Sequence, residues 1–177
     1  MFNADPKTLI QIGPHLHKVL VVDDNAVSAR LAGDLMKQMG ARQIVVATRL
    51  DRALASAQDF EPQIVLTEFA GVDFDGLAFT RALRRSGCMA RKAPVIMVTA
   101  VATEASVLGA RNAGVHEFLR KPFTAGDLFR RVSHVVLKPR PWIEAQMYVG
   151  PDRRRFNSGE FTGAPKRRAD EAAEAAA

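Results

Sequence analysis

Four groups of polar side chains stand directly after short apolar runs of the sequence. In chain order they are Asp23-Asp24, Glu68, Thr99 and Lys121. Short runs of aliphatic and β-branched residues, such as Ile64-Val65-Leu66, are typical of buried strands. In open parallel α/β sheets, chemistry takes place outside the carboxyl ends of the strands. We therefore expect these carboxylates, the hydroxyl and the ammonium group to share one site.

The elements that would position this site alternate regularly along the chain. From Lys18 to Leu137, five short apolar runs are each followed by a segment with apolar residues at helical spacing. In the first such segment Leu31 and Leu35 fall on one helical face, and Gly40 ends it. Five βα units with short connections predict a parallel sheet covered by helices on both faces.

The two ends of the chain differ from its middle in composition. We expect residues 1–17 to be a mobile leader, residues 18–137 to form one domain, and residues 138–177 to be a basic, largely disordered tail. Pro139 and Pro141 cannot continue a helix. Few aliphatic residues follow them, so the tail cannot build a core of its own.

Composition narrows the functional classes. The 177 residues carry a formal charge of +6, which favours anionic partners. The single cysteine, Cys88, excludes an internal disulfide and a metal site built from several cysteines. No apolar run approaches the roughly 20 residues that span a bilayer, and we see no secretory signal, so we expect a cytoplasmic protein. No nucleophile–base pair stands outside the polar groups above, so we do not expect an enzyme.

The set of motifs resembles the receiver domain of bacterial two-component response regulators. The matching pieces are V-L-V-V-D-D, P-Q-I-V-L-T-E, Asp75-Gly76, V-I-M-V-T-A and F-L-R-K-P-F, and they cover residues 18–137. The resemblance implies a CheY-like, flavodoxin-like (βα)5 fold, a doubly wound parallel sheet with strand order 2-1-3-4-5. It also implies a role in phosphorelay signal transduction.

The family's site is carried over residue by residue. In receivers the paired acids and an aspartate at position 68 bind magnesium, and that aspartate accepts phosphate from a histidine kinase. The resemblance implies metal ligands at Asp23, Asp24, position 68 and the backbone carbonyl of Ala70. It implies a switch made of Thr99, Lys121 and Phe118, although Phe118 could equally be ordinary core packing.

Glu68 departs from this pattern, because the family has aspartate there. The extra methylene moves the carboxylate about 1.5 Å further out, and misplacement on that scale can cost about 100-fold in rate. The family's Met-Pro loop is also missing after Glu68. We therefore expect no phosphorylation and weak or absent magnesium binding. Three interpretations stay open: Glu68 is phosphorylated after all, it mimics the activated state permanently, or it only balances the charge of Lys121.

The tail contains a duplicated pattern. Residues 148–155 and 161–168 each run from an aromatic residue through glycine and proline to a basic cluster. It resembles the arginine-rich segments of stand-alone alphaproteobacterial receivers that bind cyclic di-GMP and act on the flagellar motor. Arginine forks suit phosphate and guanine, and aromatic rings stack on bases. The candidate nucleotide-binding residues are Arg153, Arg154, Arg155, Arg167, Arg168, Tyr148 and Phe156. The alternative is a solvated basic tail that touches RNA without specificity.

The sequence thus favours a degenerate, non-phosphorylated receiver that acts as a signalling adaptor. It would contact its partner through the predicted helix 103–112, strand 115–119 and helix 124–137. The partner would be a histidine kinase or a chemotaxis or flagellar-motor component, and we do not expect DNA binding. The alternative is a cyclic di-GMP effector that acts on motility through the tail.

Overall fold

A five-stranded parallel sheet forms the centre of the molecule. The computed structural model describes residues 4–71 and 74–154. The strands are β1 (Lys18–Val22), β2 (Gln43–Ala47), β3 (Ile64–Glu68), β4 (Val95–Thr99) and β5 (Glu117–Arg120). Their order is β2-β1-β3-β4-β5, and all four pairings are parallel. The predicted fold class and strand order are confirmed.

Six α-helices accompany the sheet in the described part of the chain. They are α1 (Pro6–Ile12), α2 (Ala26–Gln38), α3 (Leu50–Phe60), α4 (Gly76–Arg85), α5 (Glu104–Ala113) and α6 (Ala125–Leu137). Two short 3-10 helices, at Gly13–His15 and Met89–Lys92, follow α1 and α4. None of the described helices is long and apolar enough to cross a membrane.

Two apolar layers sandwich the sheet. Helices α1, α2 and α6 pack on one face and α3, α4 and α5 on the other. Strands β3 and β4 are buried along their whole lengths because both their faces are covered. Their continuous apolar runs follow from this burial, since a strand with no solvent-facing side needs no alternation of polar residues.

Polar side-chain caps begin α2, α4, α5 and α6, whereas α3 starts without one. The Asn25 side chain accepts hydrogen bonds from the amides of Val27 and Ser28 at the start of α2, both at 3.0 Å. Asp75 and Thr124 cap α4 and α6 in the same manner. A cap of this kind stabilises a helix by about 1 kcal/mol. The caps fix where each loop ends, and thereby hold the strand-end side chains in place.

The N-terminal segment differs from the mobile leader that the sequence predicts. Asp5 caps α1 by accepting bonds from the amides of Lys7 and Thr8. Ile12 and Leu16 are fully buried in the layer that contains α6. A seven-residue helix is not stable alone, so this one depends on tertiary packing that local sequence patterns do not report.

The segment after α6 also differs from the predicted disordered tail. The helix ends at Leu137, as Pro139 predicts, but β6 (Trp142–Ala145) and β7 (Tyr148–Pro151) then form an antiparallel hairpin. The hairpin packs against α4 and α5. Its backbone comes very close to the body, because a Cβ atom on Gly150 would lie 2.9 Å from Cα of Gly114. Residues 155–177 lie outside the described part of the chain.

Candidate functional site

The parallel sheet brings the strand-end polar groups to one edge. Asp23 directly follows β1, Glu68 and Thr99 end β3 and β4, and Lys121 directly follows β5. The amide of Lys121 donates to the carbonyl of Thr99 at 2.7 Å, which ties the loop after β5 to β4. The Lys121–Pro122 peptide is cis.

The ammonium group of Lys121 is the centre of this edge. Its Nζ donates to Oε2 of Glu68 at 2.5 Å, to Oγ of Ser28 at 2.7 Å and to Oδ2 of Asp23 at 3.0 Å. An ammonium group has three N–H donors, so all of them are used. Burial alone would lower the pKa of Lys121, but the hydrogen bonds and charges of Glu68 and Asp23 outweigh it and raise this pKa. The lysine is therefore a fixed cation at neutral pH.

The two carboxylates are also held by the backbone. Oδ1 of Asp23 accepts from the amide of Asn25 at 2.9 Å, and its Oδ2 accepts from the hydroxyl of Ser28 at 2.6 Å. Oε1 of Glu68 accepts from the amide of Phe69 at 2.8 Å. Both carboxylates are nearly excluded from solvent, with side chains 8% and 10% exposed. Each is thus fixed by a backbone amide on one oxygen and by Lys121 on the other.

Ser28 is a site residue that the sequence analysis missed. As the third residue of α2 it reaches back over the helix N-terminus and joins Asp23 to Lys121. The cap residue Asn25, three positions earlier, is the sequence signal that could have located it. A serine three residues after a cap faces the loop that precedes the helix.

The loop after β3 is closed tightly over Asp24. The amide of Gly71 donates to the carbonyl of Phe74 at 2.8 Å, and the amide of Gly76 donates to that of Phe69 at 2.9 Å. A Cβ atom on Gly71 would lie 1.9 Å from Oδ2 of Asp24, so a larger residue there would displace the Asp24 carboxylate. This pairing uses the carbonyls of Phe69 and Phe74 and leaves that of Ala70 out.

A second polar cluster lies at the opposite end of the sheet, around the fully buried Arg84. Its guanidinium donates to the carbonyls of Gly114, Arg91 and Ala93 and to Nδ1 of His116, at 2.7–3.2 Å. These bonds use all five of its N–H donors. Burial lowers the pKa of Arg84 to about 9, so it is still charged at pH 7. Arginine is rarely fully buried, and no pattern in the sequence signals the burial of Arg84.

The hairpin closes over this second cluster. The ring of Trp142 lies 5.4 Å from the guanidinium carbon of Arg84. Arg140 donates to the carbonyl of Asp152 at 3.1 Å and to the carbonyl of His116. Among the residues that the structure describes, no carboxylate pairs with Arg84, and this buried arginine links α4, the start of β5 and the hairpin.

The family follows from comparison with known proteins. The profile of the response regulator receiver domain matches residues 19–133. The chain belongs to the response regulator receiver family. A probable chemotaxis protein CheY from Rhizobium etli is 33% identical over 107 residues, which cover 60% of this chain and 82% of that protein.

Solved receivers have the same fold. The chemotaxis protein CheY4 of Vibrio cholerae superposes with a TM-score of 0.63 at 22% identity, over 68% of this receiver and 98% of that chain. The receiver domain of sensor histidine kinase PA1611 from Pseudomonas aeruginosa has a TM-score of 0.60 at 25% identity, over 68% and 97%. That structure carries a magnesium ion coordinated in its active-site cleft.

The edge that carries Asp23, Glu68 and Lys121, here called the acidic edge, fits a magnesium ion poorly. Within residues 4–71 and 74–154, no three His, Cys, Asp or Glu side chains are grouped so that they could hold a metal. Lys121 lies between Asp23 and Glu68, where a second cation would be repelled. Magnesium requires near-octahedral oxygen ligands, and these carboxylates are already turned toward an ammonium group and backbone amides.

The three predicted switch residues, Thr99, Lys121 and Phe118, differ in whether they contact Glu68. Oγ1 of Thr99 accepts from the amide of Val101 at 3.1 Å, and within the described residues no hydrogen bond joins Thr99 to Glu68. Phe118 is half-buried against the layer that contains α3, α4 and α5. Among these switch residues, the described hydrogen bonds of the Glu68 carboxylate go to Lys121 and not to Thr99.

Three of the seven candidate nucleotide-binding residues are described, and they lie together. The guanidinium carbon of Arg153 lies 4.6 Å from the centre of the Tyr148 ring, and Nη1 donates to Oδ1 of Asn112 at 2.9 Å. Arg154 lines the same groove as these two residues. Arg155, Phe156, Arg167 and Arg168 lie outside the described residues.

Proposed function

We propose that this receiver is a signalling adaptor that works without phosphorylation. The observation that carries the proposal is the 2.5 Å contact between Nζ of Lys121 and Oε2 of Glu68. In the family resemblance this lysine belongs to the switch that responds to a phosphoryl group. Here the side chain at the acceptor position already engages the lysine.

Three features of the site support this proposal. The longer side chain displaces the acceptor oxygen by about 1.5 Å, and in-line transfer tolerates such displacement badly. Both oxygens of Glu68 are engaged, one by Lys121 and one by the amide of Phe69. Phosphoryl transfer also relies on a metal to neutralise the incoming charge, and the described carboxylates fit a metal poorly.

The adaptor would act through the surface of α5, β5 and α6. Lys121 links this surface to the acidic edge, because it directly follows β5 and its amide bonds to the end of β4. Val107 and Leu108 of α5 are 42% and 45% exposed and offer apolar contacts to another protein. The similarity to a chemotaxis protein favours a histidine kinase, a chemotaxis protein or a flagellar-motor component as the partner.

Treatment with acetyl phosphate tests this proposal. With magnesium present, the intact mass of the wild-type protein should not change. Glu68→Asp restores the family's acceptor beside Asp23, Asp24, Thr99 and Lys121, and should gain one phosphoryl group. Glu68→Gln is the matched control that cannot be phosphorylated at this position. A phosphoryl group on wild-type Glu68, located by peptide mapping, would refute the proposal.

A second candidate function, a cyclic di-GMP effector acting on motility, is favoured by the grouping of Tyr148, Arg153 and Arg154 along one groove. Titration calorimetry with cyclic di-GMP and cyclic di-AMP on the full chain tests it. A specific effector should prefer the guanine dinucleotide, and its arginines should contribute unequally. Equal losses for every Arg→Ala change, together with steep salt dependence, would indicate a basic polyelectrolyte and refute this candidate.

A further inference from the structure

A groove between the C-terminal hairpin and the end of α5 is built from two parts of the chain. Arg111 of α5 forms one wall, and the hairpin side is lined by Ile143, Ala145, Tyr148, Asp152, Arg153 and Arg154. Its volume is about 820 Å³, within the range of small-molecule sites. We infer that this groove binds a phosphate-bearing ligand, that Arg111 supplies the contact from the receiver body, and that the bound ligand fixes α5 to the hairpin.

The charges around the groove favour an anion. Three guanidinium groups line it against one carboxylate, that of Asp152. Oδ1 of this aspartate accepts a hydrogen bond from the amide of Arg154 at 3.0 Å. Within the described residues, none of the three arginines forms a salt bridge. This excess of positive charge gives the groove a potential that attracts an anionic ligand.

Arg111 lacks an acidic partner on its own helix. The positions one turn away, 107, 108, 114 and 115, are Val, Leu, Gly and Val. Its charge near the C-terminus of α5 does favour the helix dipole, but that needs no second or third arginine nearby. Stabilising the helix does not account for the position of Arg111 beside two other arginines, whereas binding a phosphate in the groove does.

Arg153 is already oriented for binding. Its stacking on Tyr148 and its hydrogen bond to Asn112 hold the guanidinium in one place and leave its other N–H donors for a ligand. An arginine that is oriented before binding loses less conformational entropy when a phosphate docks. Ile143, 36% exposed on the hairpin side, offers an apolar surface on which a base could lie.

A ligand in this groove would act directly on α5. Arg111 and Asn112 belong to the last turn of α5, and Gly114 caps it. Gly114 is also where the hairpin backbone touches the body. A phosphate held between Arg111 and the hairpin arginines would fasten this end of α5, which belongs to the proposed partner surface. The receiver would then take its input at the end of the sheet opposite to the acidic edge.

This inference rests on the second candidate function and goes beyond it by assigning Arg111 and α5. Calorimetry on the full-length protein compares wild type with Arg111→Ala, Arg111→Lys and the matched control Arg52→Ala, an exposed arginine on α3. The probes are cyclic di-GMP and inorganic pyrophosphate. Arg111→Ala should weaken cyclic di-GMP binding about tenfold or more, the effect of one lost bidentate contact. Arg111→Lys should lose less affinity for cyclic di-GMP, and Arg52→Ala should bind it as tightly as wild type.

Hydrogen exchange separates a direct contact from a general charge effect. Cyclic di-GMP should slow exchange of the amides of residues 104–113 in wild type, and this protection should be lost in Arg111→Ala. If wild type binds cyclic di-GMP and Arg111→Ala binds it equally well, the second candidate function stands and the assignment of Arg111 is wrong. If neither probe binds wild type, both are wrong.

Discussion

At the scale of single residues, Lys121 is the cation that pairs with both buried carboxylates of the acidic edge. Asp23 and Glu68 converge from two strand ends, and the ammonium group between them removes the need for another cation. Glu68 reaches Nζ at 2.5 Å, so the side chain at the acceptor position is paired with the lysine.

Replacing this lysine tests its role as the internal cation. Lys121→Met should leave two nearly buried carboxylates facing each other and lower the free energy of unfolding by about 2–3 kcal/mol at pH 7. Urea denaturation measures this change. Lys37→Met, which breaks an exposed ion pair with Asp34, is the matched control and should cost less than about 1 kcal/mol.

A double variant separates charge from packing. Lys121→Met with Glu68→Gln removes the repulsion and should recover part of the lost stability. A Lys121→Met protein as stable as the Lys37→Met control would mean that water or an ion already screens the acids, contrary to the closed network described above.

At the scale of elements, the hairpin is a docked part of the receiver and depends on close backbone contact. In Gly150→Ala the new methyl group would lie 2.7 Å from Oη of Tyr148 and 2.9 Å from Cα of Gly114. We expect a loss of about 1–3 kcal/mol from overpacking, together with faster amide exchange in residues 142–151. Gly87→Ala is the matched control, because nothing lies within 4 Å of its new Cβ atom. Equal exchange in both variants would show that the hairpin is not held by this contact.

The sequence predicts the elements that carry their own periodic signal. Five strands and the helices that follow them were predicted because apolar spacing reports burial against a sheet. Helix α1 and the hairpin were missed because their stability comes from distant contacts, such as Ile12 against the layer of α6 and Trp142 over Arg84. The strand-end residues could be grouped from parallel topology alone. The bonds between them could not, because they depend on rotamers and on Ser28.

At the scale of the whole molecule, one buried histidine should set how stability responds to mild acid. Burial and the positive charges of Arg84 and Arg140 hold the pKa of His116 well below its ordinary value. Below about pH 6.5 the unfolded chain therefore binds a proton that the folded protein does not. Stability should fall as the pH drops from about 6.5 toward 5, by at most roughly 1.4 kcal/mol per pH unit.

Denaturation series at several pH values measure this slope. His116→Asn keeps an acceptor near the position of Nδ1 without a titrating ring, so its stability should change less over the same interval. His15→Asn, at an exposed position, is the matched control and should keep the wild-type slope. An unchanged slope in His116→Asn would assign the acid response to other groups.

The packing of α1 on α6 has a consequence for the synthesis of the protein on the ribosome. Ile12 and Leu16 are synthesised before the helix that covers them, which ends at Leu137. At translation rates of about 5–20 residues per second, these apolar side chains wait roughly 6–25 s for their partner. During that interval the apolar side chains of Ile12 and Leu16 are exposed on the nascent chain, so we expect holdase chaperones to bind this segment before α6 packs on it.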